Sequence, residues 1–277
     1  MEKLEIKTPC KINIGLKIVR KRSDGYHDIE TVFYPINLFD TIIFEKSDSF
    51  SFDTNSTLIK TESSNSVITA VNKLEALTGN EFKVKIKLLK NIPIGAGLGG
   101  GSSDGAAALL GLNKLFNLGL TLNELEKAAL DIGSDSPFFI NPKPCFAESR
   151  GESLKPINFM IDYPILIVNP GIHVSTKWAY ESIFLKSSIN NSLNYQSLLS
   201  YDWDEIRNKI VNDFEEIVFQ KYVEIKAIKD ELYNSGALLS LMTGSGSTVF
   251  GIFLDNSAVM HAENKFSEKY FTFIHIP

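Results

Sequence analysis

The stretch NIPIGAGLGGGSSDGAAALL, residues 91–110, is the part of the chain best suited to hold an anion. Gly95, Gly97, Gly99, Gly100 and Gly101 leave bare backbone N–H groups, and Ser102 and Ser103 stand where an alanine- and leucine-rich helix begins. Successive N–H groups without Cβ atoms can fold around a phosphate, and the positive end of a helix dipole adds to the attraction. Serine hydroxyls at such a start cap open N–H groups or reach the anion. Two other motifs share the same letters. Gly95, Gly97 and Gly100 satisfy the G-x-G-x-x-G dinucleotide fingerprint, but where that motif needs a second parallel strand the chain has the helical LTLNELEKAALDIG. Gly101-Ser102-Ser103-Asp104-Gly105 satisfies the G-x-S-x-G of a hydrolase elbow, yet Pro93 and the glycine run part Ser103 from the strand before it. His173, His261 and His275 follow in no catalytic setting. The G-K-[ST] of a Walker A loop is missing. A phosphate cradle is the reading that fits its surroundings.

Phosphoryl transfer from a cradle needs a cation and a base as well. Lys11, in PCKINIGL, shares one face of a strand with Asn13 by the period of two. Asp135 lies in a Gly-Ser-Asp-Ser-Pro turn between a helix and the apolar PFFI, a place that also suits a plain cap. MTGSGSTVFG (242–251) is a second glycine-serine turn, either a tight turn needing positive φ or another backbone wall against phosphates. A carboxylate at Asp104 beside phosphates would repel them, so its side chain is expected to point away.

Composition narrows the classes. The 277 residues can bury a large core and allow one or two domains. Net charge is −5 with both signs mixed along the chain, so there is no basic stripe for nucleic acid. Cys10 and Cys145 make no disulfide framework and no metal spacing, as expected of buried thiols in a reducing compartment. MEKLEIKTPCKINIGL alternates charged and apolar residues instead of presenting the apolar core of a signal peptide, and no apolar run nears the ~18 residues of a membrane span. A cytoplasmic protein is expected.

The elements that would carry these residues can be read from periodicity. LEIKTPCKINIGLKIV reads as one or two strands with Pro9 at a bend, RKRSDGYHD as a hairpin turn, and IETVFYPINLFDTIIFE as a strand pair. Residues 47–66 are polar and expected to form exposed hairpins and loops. Asn65 and Ser66 cap the helix VITAVNKLEALTG, and FKVKIKLLKNIPI alternates as a strand running into the glycines. Helices are predicted at about 103–117, 121–132, 176–185, 195–200, 203–219 and 221–234, a hairpin at PCFAESRGESLKPI, and strands at YPILIVNPGIHVST and ALLSLMTGSGSTVFGIFL. The class is α+β, with a break near 150–160.

Together these segments resemble the GHMP kinases. Pro93-x3-Gly97-Leu98-Gly99-Gly100-Gly101-Ser102-Ser103 looks like that family's phosphate-binding motif and MTGSGSTVFG like its C-terminal glycine motif. PCKINIGLKIVRKRSDGYHDIETVFYPINLFDTI, GSDSPFF and CFAESRGESLKPI are similar, more narrowly, to the branch acting on 4-diphosphocytidyl-2-C-methyl-D-erythritol, with the Asp24-Gly25-Tyr26-His27 block as the specific part. The likeness covers roughly 1–45, 90–157 and 240–253. Cys10 replaces the common Ala, Asp104-Gly105 the frequent Asn-Ala, and Ser136 a Val or Cys.

The resemblance implies a two-domain GHMP kinase fold: residues 1–155 as an N-terminal ATP-binding domain of mixed β-sheet with helices, 156–277 as a C-terminal α/β sandwich-like domain, and the active site in the cleft between them. It implies phosphoryl transfer from ATP to the 2-hydroxyl of that substrate, in the non-mevalonate route to isoprenoid precursors. Asp135 matches the family's base and Lys11 its lysine. Pro93, Gly95, Ala96, Gly97, Leu98, Gly99, Gly100, Gly101, Ser102 and Ser103 would hold ATP, with Gly244, Ser245 and Gly246 as a second wall and Asn65 near the adenine. Mg²⁺ would bridge the phosphates, its side-chain ligand left open. Tyr26 and His27 would take the cytidine, and Asn13, Phe33, Thr176 and Tyr180 would complete that pocket. The implied partner is a small molecule with a cytidine diphosphate moiety, without nucleic acid or membrane, on a monomer or weak homodimer. The alternatives are a GHMP kinase of another small alcohol and a non-catalytic nucleotide-binding protein on the same fold. The presence of both Lys11 and Asp135 speaks against the latter.

Overall fold

The computed structural model describes residues 2–59, 65–183, 193, 195–200 and 202–277. In chain order the elements are β1 (Lys3–Lys21), β2 (His27–Lys46), β3 (Ser51–Thr54), α1 (Ser66–Thr78), β4 (Val84–Leu89), α2 (Gly100–Leu115), α3 (Leu122–Leu130), β5 (Cys145–Glu148), β6 (Ser153–Pro156), β7 (Ile165–Asn169), α4 (Thr176–Ser182), α5 (Trp203–Lys209), α6 (Glu215–Lys221), α7 (Val223–Asn234), β8 (Leu239–Met242), β9 (Val249–Ile252), α8 (Asn256–Glu263) and β10 (Phe271–His275). Short 3-10 helices cover Ser136–Ile140 and Tyr195–Ser200. The fold is α+β with two sheets. Among the described residues no helix is long and apolar enough to cross a membrane.

Two compact units divide the chain: Met1–Cys10, Leu38–Ile94 and Gly99–Pro142 make the first, and Lys11–Asn37, Gly95–Leu98 and Lys143–Pro277 the second. Neither is one contiguous stretch such as 1–155 or 156–277, because β1 and β2 each give residues to both units.

In the first unit, the end of β2 pairs antiparallel with β4 from Thr41↔Leu89 to Lys46↔Val84, and β3 pairs parallel with β4. Val84, Ile86 and Leu88 are buried while Lys85 and Lys87 are exposed, the alternation expected of a strand with one covered face. Helix α1 starts where Asn65 Oδ1 accepts the N–H groups of Val67 and Ile68, and ends at a left-handed Gly79 whose N–H meets Glu75 O. Its buried Val67, Ala70, Val71 and Leu74 form one stripe. Helix α3 carries the Thr121/Glu124 capping box. Small residues let the helices close in. A Cβ on Gly105 of α2 would lie 2.8 Å from Ile132 Cγ2 and 3.2 Å from Ser66 O, and one on Gly111 would lie 2.3 Å from the Phe44 ring.

In the second unit the sheet order is β10-β7-β9-β8, with every neighbour antiparallel. The β7 run Ile165–Asn169 is buried throughout, and α7 presents Ile225, Ile228 and Leu232 to the core that also holds Leu166, Val168 and Val249. β5 pairs antiparallel with β6 and with Thr31–Phe33 of β2.

Several predicted elements differ. LEIKTPCKINIGLKIV, read as one or two strands, lies in the single strand β1, which passes through Pro9, and the predicted strand pair IETVFYPINLFDTIIFE is instead one strand, part of β2, which passes through Pro35. Ser51–Thr54, placed in a polar loop stretch, joins β4 as a strand, and residues 60–64 of that stretch lie outside the described residues. The single helix predicted at 203–219 is two. Between them the backbone of Val211 and Asp213 bonds Leu16 of β1, and Asn212 Nδ2 donates to Met242 O and Gly244 O at 2.7 and 2.8 Å. Those tertiary bonds outweigh a helical pattern that periodicity alone supports.

Candidate active site

Lys11 is only 3% exposed although it lies on a strand. Its ammonium donates to Asn13 Oδ1 and, at 3.2 Å, to Gly97 O, and lies 5.1 Å from the centre of the Phe33 ring. Asn13 Nδ2 donates to Thr31 Oγ1 at 2.9 Å, and Thr31 donates on to Gly15 O at 2.6 Å. The backbone N–H of Asn13 donates to Thr243 Oγ1 at 2.9 Å, whose hydroxyl stands 3.2 Å from both Asn13 Oδ1 and Gly97 O. Residues of β1, the glycine loop and the 243–248 turn are thereby fixed in one buried network, and buried polar groups satisfied in this way rigidify a site.

Gly97 is irreplaceable here on geometric grounds. Its φ is 80°, and a Cβ would stand 2.2 Å from Thr243 O, well inside contact distance. Ala96 O accepts from Thr248 N at 3.2 Å, and Lys11 N donates to Leu98 O at 3.0 Å, so the loop is laced to both neighbours. Ser245 shares a 3.0 Å hydrogen bond with Thr176 at the start of α4. Asn212, buried at 3%, holds the turn from below through its two carbonyl bonds.

The Asp24–His27 turn lies in the same unit. Gly25 has φ 87°, Tyr26 N donates to Asp24 Oδ1 at 3.1 Å, and Arg22 braces Asp24 and Asp28. Tyr26 is 52% exposed and carries the Arg150 guanidinium 4.5 Å over its ring. The His27 ring stacks on Tyr180 at 4.9 Å and 20°, and Tyr180 meets Phe214 edge-on. Burial, with a smaller push from the Lys21 charge, holds the His27 imidazole below its ordinary range, so it favours the neutral form. Flat aromatic faces beside a neutral imidazole and a guanidinium are the equipment for stacking a base and reading its edge.

In the first unit, α2 begins at Gly100 after a left-handed Gly99 with φ 73° and no side-chain cap. Gly100, Gly101, Ser102 and Ser103 are therefore the helix's first turn, three residues earlier than the predicted start, and its open N–H groups point at whatever lies beyond. Ser103 is fully buried. Its hydroxyl donates to Pro9 O at 2.6 Å and pairs with Thr8, which tethers the helix to β1. Ser102 is the half-buried serine of the pair. A Cβ on Gly133 would stand 3.3 Å from Ser102 Oγ and 3.3 Å from Ser136 Oγ, so the turn bearing Asp135 packs against the helix start. Asp135 is half-buried and precedes the Ser136–Ile140 helix, but its side chain makes no cap bond there, which sets aside the plain-cap role. Asp104 is turned inward: its Oδ2 accepts from Lys90 at 2.8 Å, and Lys90 also pairs with Asp40. Asn65 caps α1.

Comparison with known proteins decides the family. Residues 65–141 match the GHMP kinases N terminal domain and 195–272 the GHMP kinases C terminal domain. The 4-diphosphocytidyl-2-C-methyl-D-erythritol kinase of Azobacteroides pseudotrichonymphae genomovar. CFP2 is 43% identical over 88% of this chain and 91% of its own, and that of Thermodesulfovibrio yellowstonii is 42% identical over 96% and 95%. A crystal structure of 4-(cytidine 5'-diphospho)-2C-methyl-D-erythritol kinase superposes with a TM-score of 0.85 at 29% identity, covering 98% of each chain. The chain belongs to the 4-diphosphocytidyl-2-C-methyl-D-erythritol kinase family. A homoserine kinase from Cytophaga hutchinsonii, at 16% identity over 99% of this chain and 94% of that one with a TM-score of 0.76, shares the fold.

For a 4-diphosphocytidyl-2-C-methyl-D-erythritol kinase family member, the site residues expected from the sequence gather in distinct groups. Lys11, Asn13, Phe33, Gly97 and Gly244 form one, His27 with Tyr180 a second, Thr176 with Ser245 a third, and Ser102 with the Asp135 turn a fourth. Thr31, Thr243, Asn212 and Arg150 were not singled out. The first three are ordinary polar residues in strand, turn or helix patterns, and only the network shows their use. Arg150, in the predicted hairpin ESRGES, carried a weak signal in being the one arginine of that turn.

Proposed function

We infer that the protein transfers the γ-phosphoryl group of ATP to the 2-hydroxyl of 4-diphosphocytidyl-2-C-methyl-D-erythritol, giving the 2-phosphate and ADP in the non-mevalonate isoprenoid precursor pathway. The observation that carries this is the identity of about two residues in five with kinases of that name, over nearly the whole chain. The substrate oxygen attacks the γ-phosphorus, the bond from phosphorus to the β–γ bridging oxygen breaks, and the hydroxyl proton passes to the Asp135 carboxylate. Lys11, aimed by Asn13 and Gly97, steadies negative charge as it develops; a positioned group of this kind contributes on the order of 10²–10⁴-fold. The N–H groups at the start of α2 and the backbone of 95–98 hold the ATP phosphates, and the 243–246 turn forms a second wall.

Tyr26, His27 and Tyr180 take the cytosine, with Phe33 and Thr176 completing that pocket and Asn65 near the adenine. Among the described residues no three His, Cys, Asp or Glu side chains gather as a metal cage, which suits a magnesium ion carried mainly by phosphate oxygens. Bound there, it would neutralise charge on the β- and γ-phosphates. The same reading has the protein act in the cytoplasm, as a monomer or weak homodimer.

Coupled ADP release with Mg-ATP and the diphosphocytidyl substrate tests this. Turnover is expected. Turnover of homoserine or mevalonate instead would overturn the substrate, and no ADP from any of these alcohols, in folded protein, would overturn the kinase.

A further inference from the structure

Beneath the start of α2 lies a buried charge cluster that the reaction as described does not use. Lys90, 6% exposed at its side chain, pairs with both Asp40 and Asp104, so one cation serves two carboxyl groups. The two acids are not equivalent. Asp40 accepts on both oxygens, from Lys90 through Oδ2 and from the N–H groups of Asn91 and Ile92 through Oδ1 at 2.6 and 2.9 Å. Asp104 uses Oδ2 alone, and its Oδ1 is buried with no hydrogen-bond partner among the described residues. An unpaired buried oxygen costs most when it carries charge, so a proton entering the cluster settles on Asp104.

The cluster also touches the helix end. The Lys90 ammonium lies 3.2 Å from where a Cβ on Gly100 would stand, so it packs against the first residue of α2. Asp104 itself is four residues into α2, which at ~1.5 Å per residue is ~6 Å along the axis. A carboxylate at that depth opposes the positive end of the helix, where an anion would bind.

We propose that Asp104 is a positioning residue for the nucleotide: through Lys90 it seats the first turn of α2, and it takes up a proton when the phosphates bind at that helix end. The inference rests on the proposed binding of ATP phosphates there. Both carboxyl groups ionised leave the cluster with one excess negative charge, and protonation of Asp104 removes it. By linkage, whatever raises proton affinity when nucleotide binds also tightens nucleotide binding when a proton is present. Burial, opposed by Lys90 and reinforced by Asp40, pushes the Asp104 carboxyl up to about 7, which puts the effect in the working range.

Other ionisable groups stand on the elements packed around α2. Lys73 of α1 pairs with Asp131, Glu75 accepts from Phe82 N, and Glu124 of α3 caps Thr121. Glu126 of α3 is half-buried and Lys127 exposed, Glu5 and Lys7 of β1 and Lys85 and Lys87 of β4 are exposed, and the half-buried Asp135 leads the Ser136–Ile140 helix.

The test is titration calorimetry of Mg-ATP into wild type and Asp104→Asn between pH 6 and 8.5, in buffers of different ionisation enthalpy. Wild type is expected to take up a fraction of a proton near pH 7 and to bind about fivefold more tightly at the acid end than at the alkaline end. Asp104→Asn, which shares the nucleotide's own titration, is expected to lose that uptake and flatten the profile. A merely structural role would leave the two profiles parallel, and parallel profiles overturn the proposal while the ATP site stands. Zero proton uptake by wild type across pH 6.5–7.5 overturns it without need of a variant. No nucleotide binding by folded wild type overturns both the proposal and the ATP site.

Discussion

Lys11 and Lys90 are both buried lysines, one in each unit, and they are held by different chemistry. Lys90 sits between two carboxyl groups, which fix its place and cancel its charge. Lys11 donates to a side-chain amide oxygen and to a backbone carbonyl, which orient its ammonium. Lys90 packs against the start of a helix, whereas Lys11 is, on the proposed function, the lysine that meets the phosphates. Removing each should therefore fail in a different assay.

The largest effect is expected at Lys11. Lys11→Met should lower kcat by roughly 10²–10⁴ while the melting temperature moves less, since methionine keeps an unbranched apolar stem at that place. A stopped assay beside a thermal melt checks this, and a normal kcat would dissolve the contrast. Lys90→Met should do the reverse. It strands two buried carboxyl groups, so denaturant unfolding should show a loss of about 3–5 kcal/mol. Unchanged stability would mean that the cluster matters less than its burial suggests.

Gly97→Ala comes next. A Cβ 2.2 Å from Thr243 O, at φ 80°, must displace the 243–248 turn or the loop. The expected cost is about 1–3 kcal/mol of stability, with KM for ATP raised more than kcat is lowered.

The smallest effect is a slope. Asp104 in the folded protein has its carboxyl raised from 3.8 to about 7, so between those values the native state holds a proton that the unfolded chain has released. Stability contributed by this group must then fall as pH rises through that window and level off above it. Urea midpoints at pH 5 and pH 8 should differ more in wild type than in Asp104→Asn, and an equal difference would remove Asp104 as the cause.

The two lysines also show what a sequence can disclose. The glycine loop was legible from its residue types, whereas Lys11, Asp135 and the DGYH turn, a strand lysine and two turns when taken alone, were singled out through the resemblance of PCKINIGL, GSDSPFF and DGYH to the family. Helix α1 was legible from Asn65, its apolar stripe and Gly79. Lys90 was not, because a lysine ending an alternating strand looks like the solvent face. Only tertiary structure puts Asp40, 50 positions away, against it. Asp104 was expected to turn from the phosphates, but its partner could not be named. Thr243 and Asn212 were missed for the same physical reason: a threonine and an asparagine acquire a role only when a strand 230 residues distant or a turn 30 residues distant is brought to them. The break between α5 and α6 arises likewise from bonds to β1 that no local period records.

The measurement that bears most directly on the account is ADP release by wild type and Asp135→Ala, with nucleotide binding followed in parallel. The account predicts that turnover of the diphosphocytidyl substrate collapses by two orders of magnitude or more, about what a lost general base costs, while Mg-ATP still binds. A folded Asp135→Ala variant that kept near wild-type kcat would contradict it.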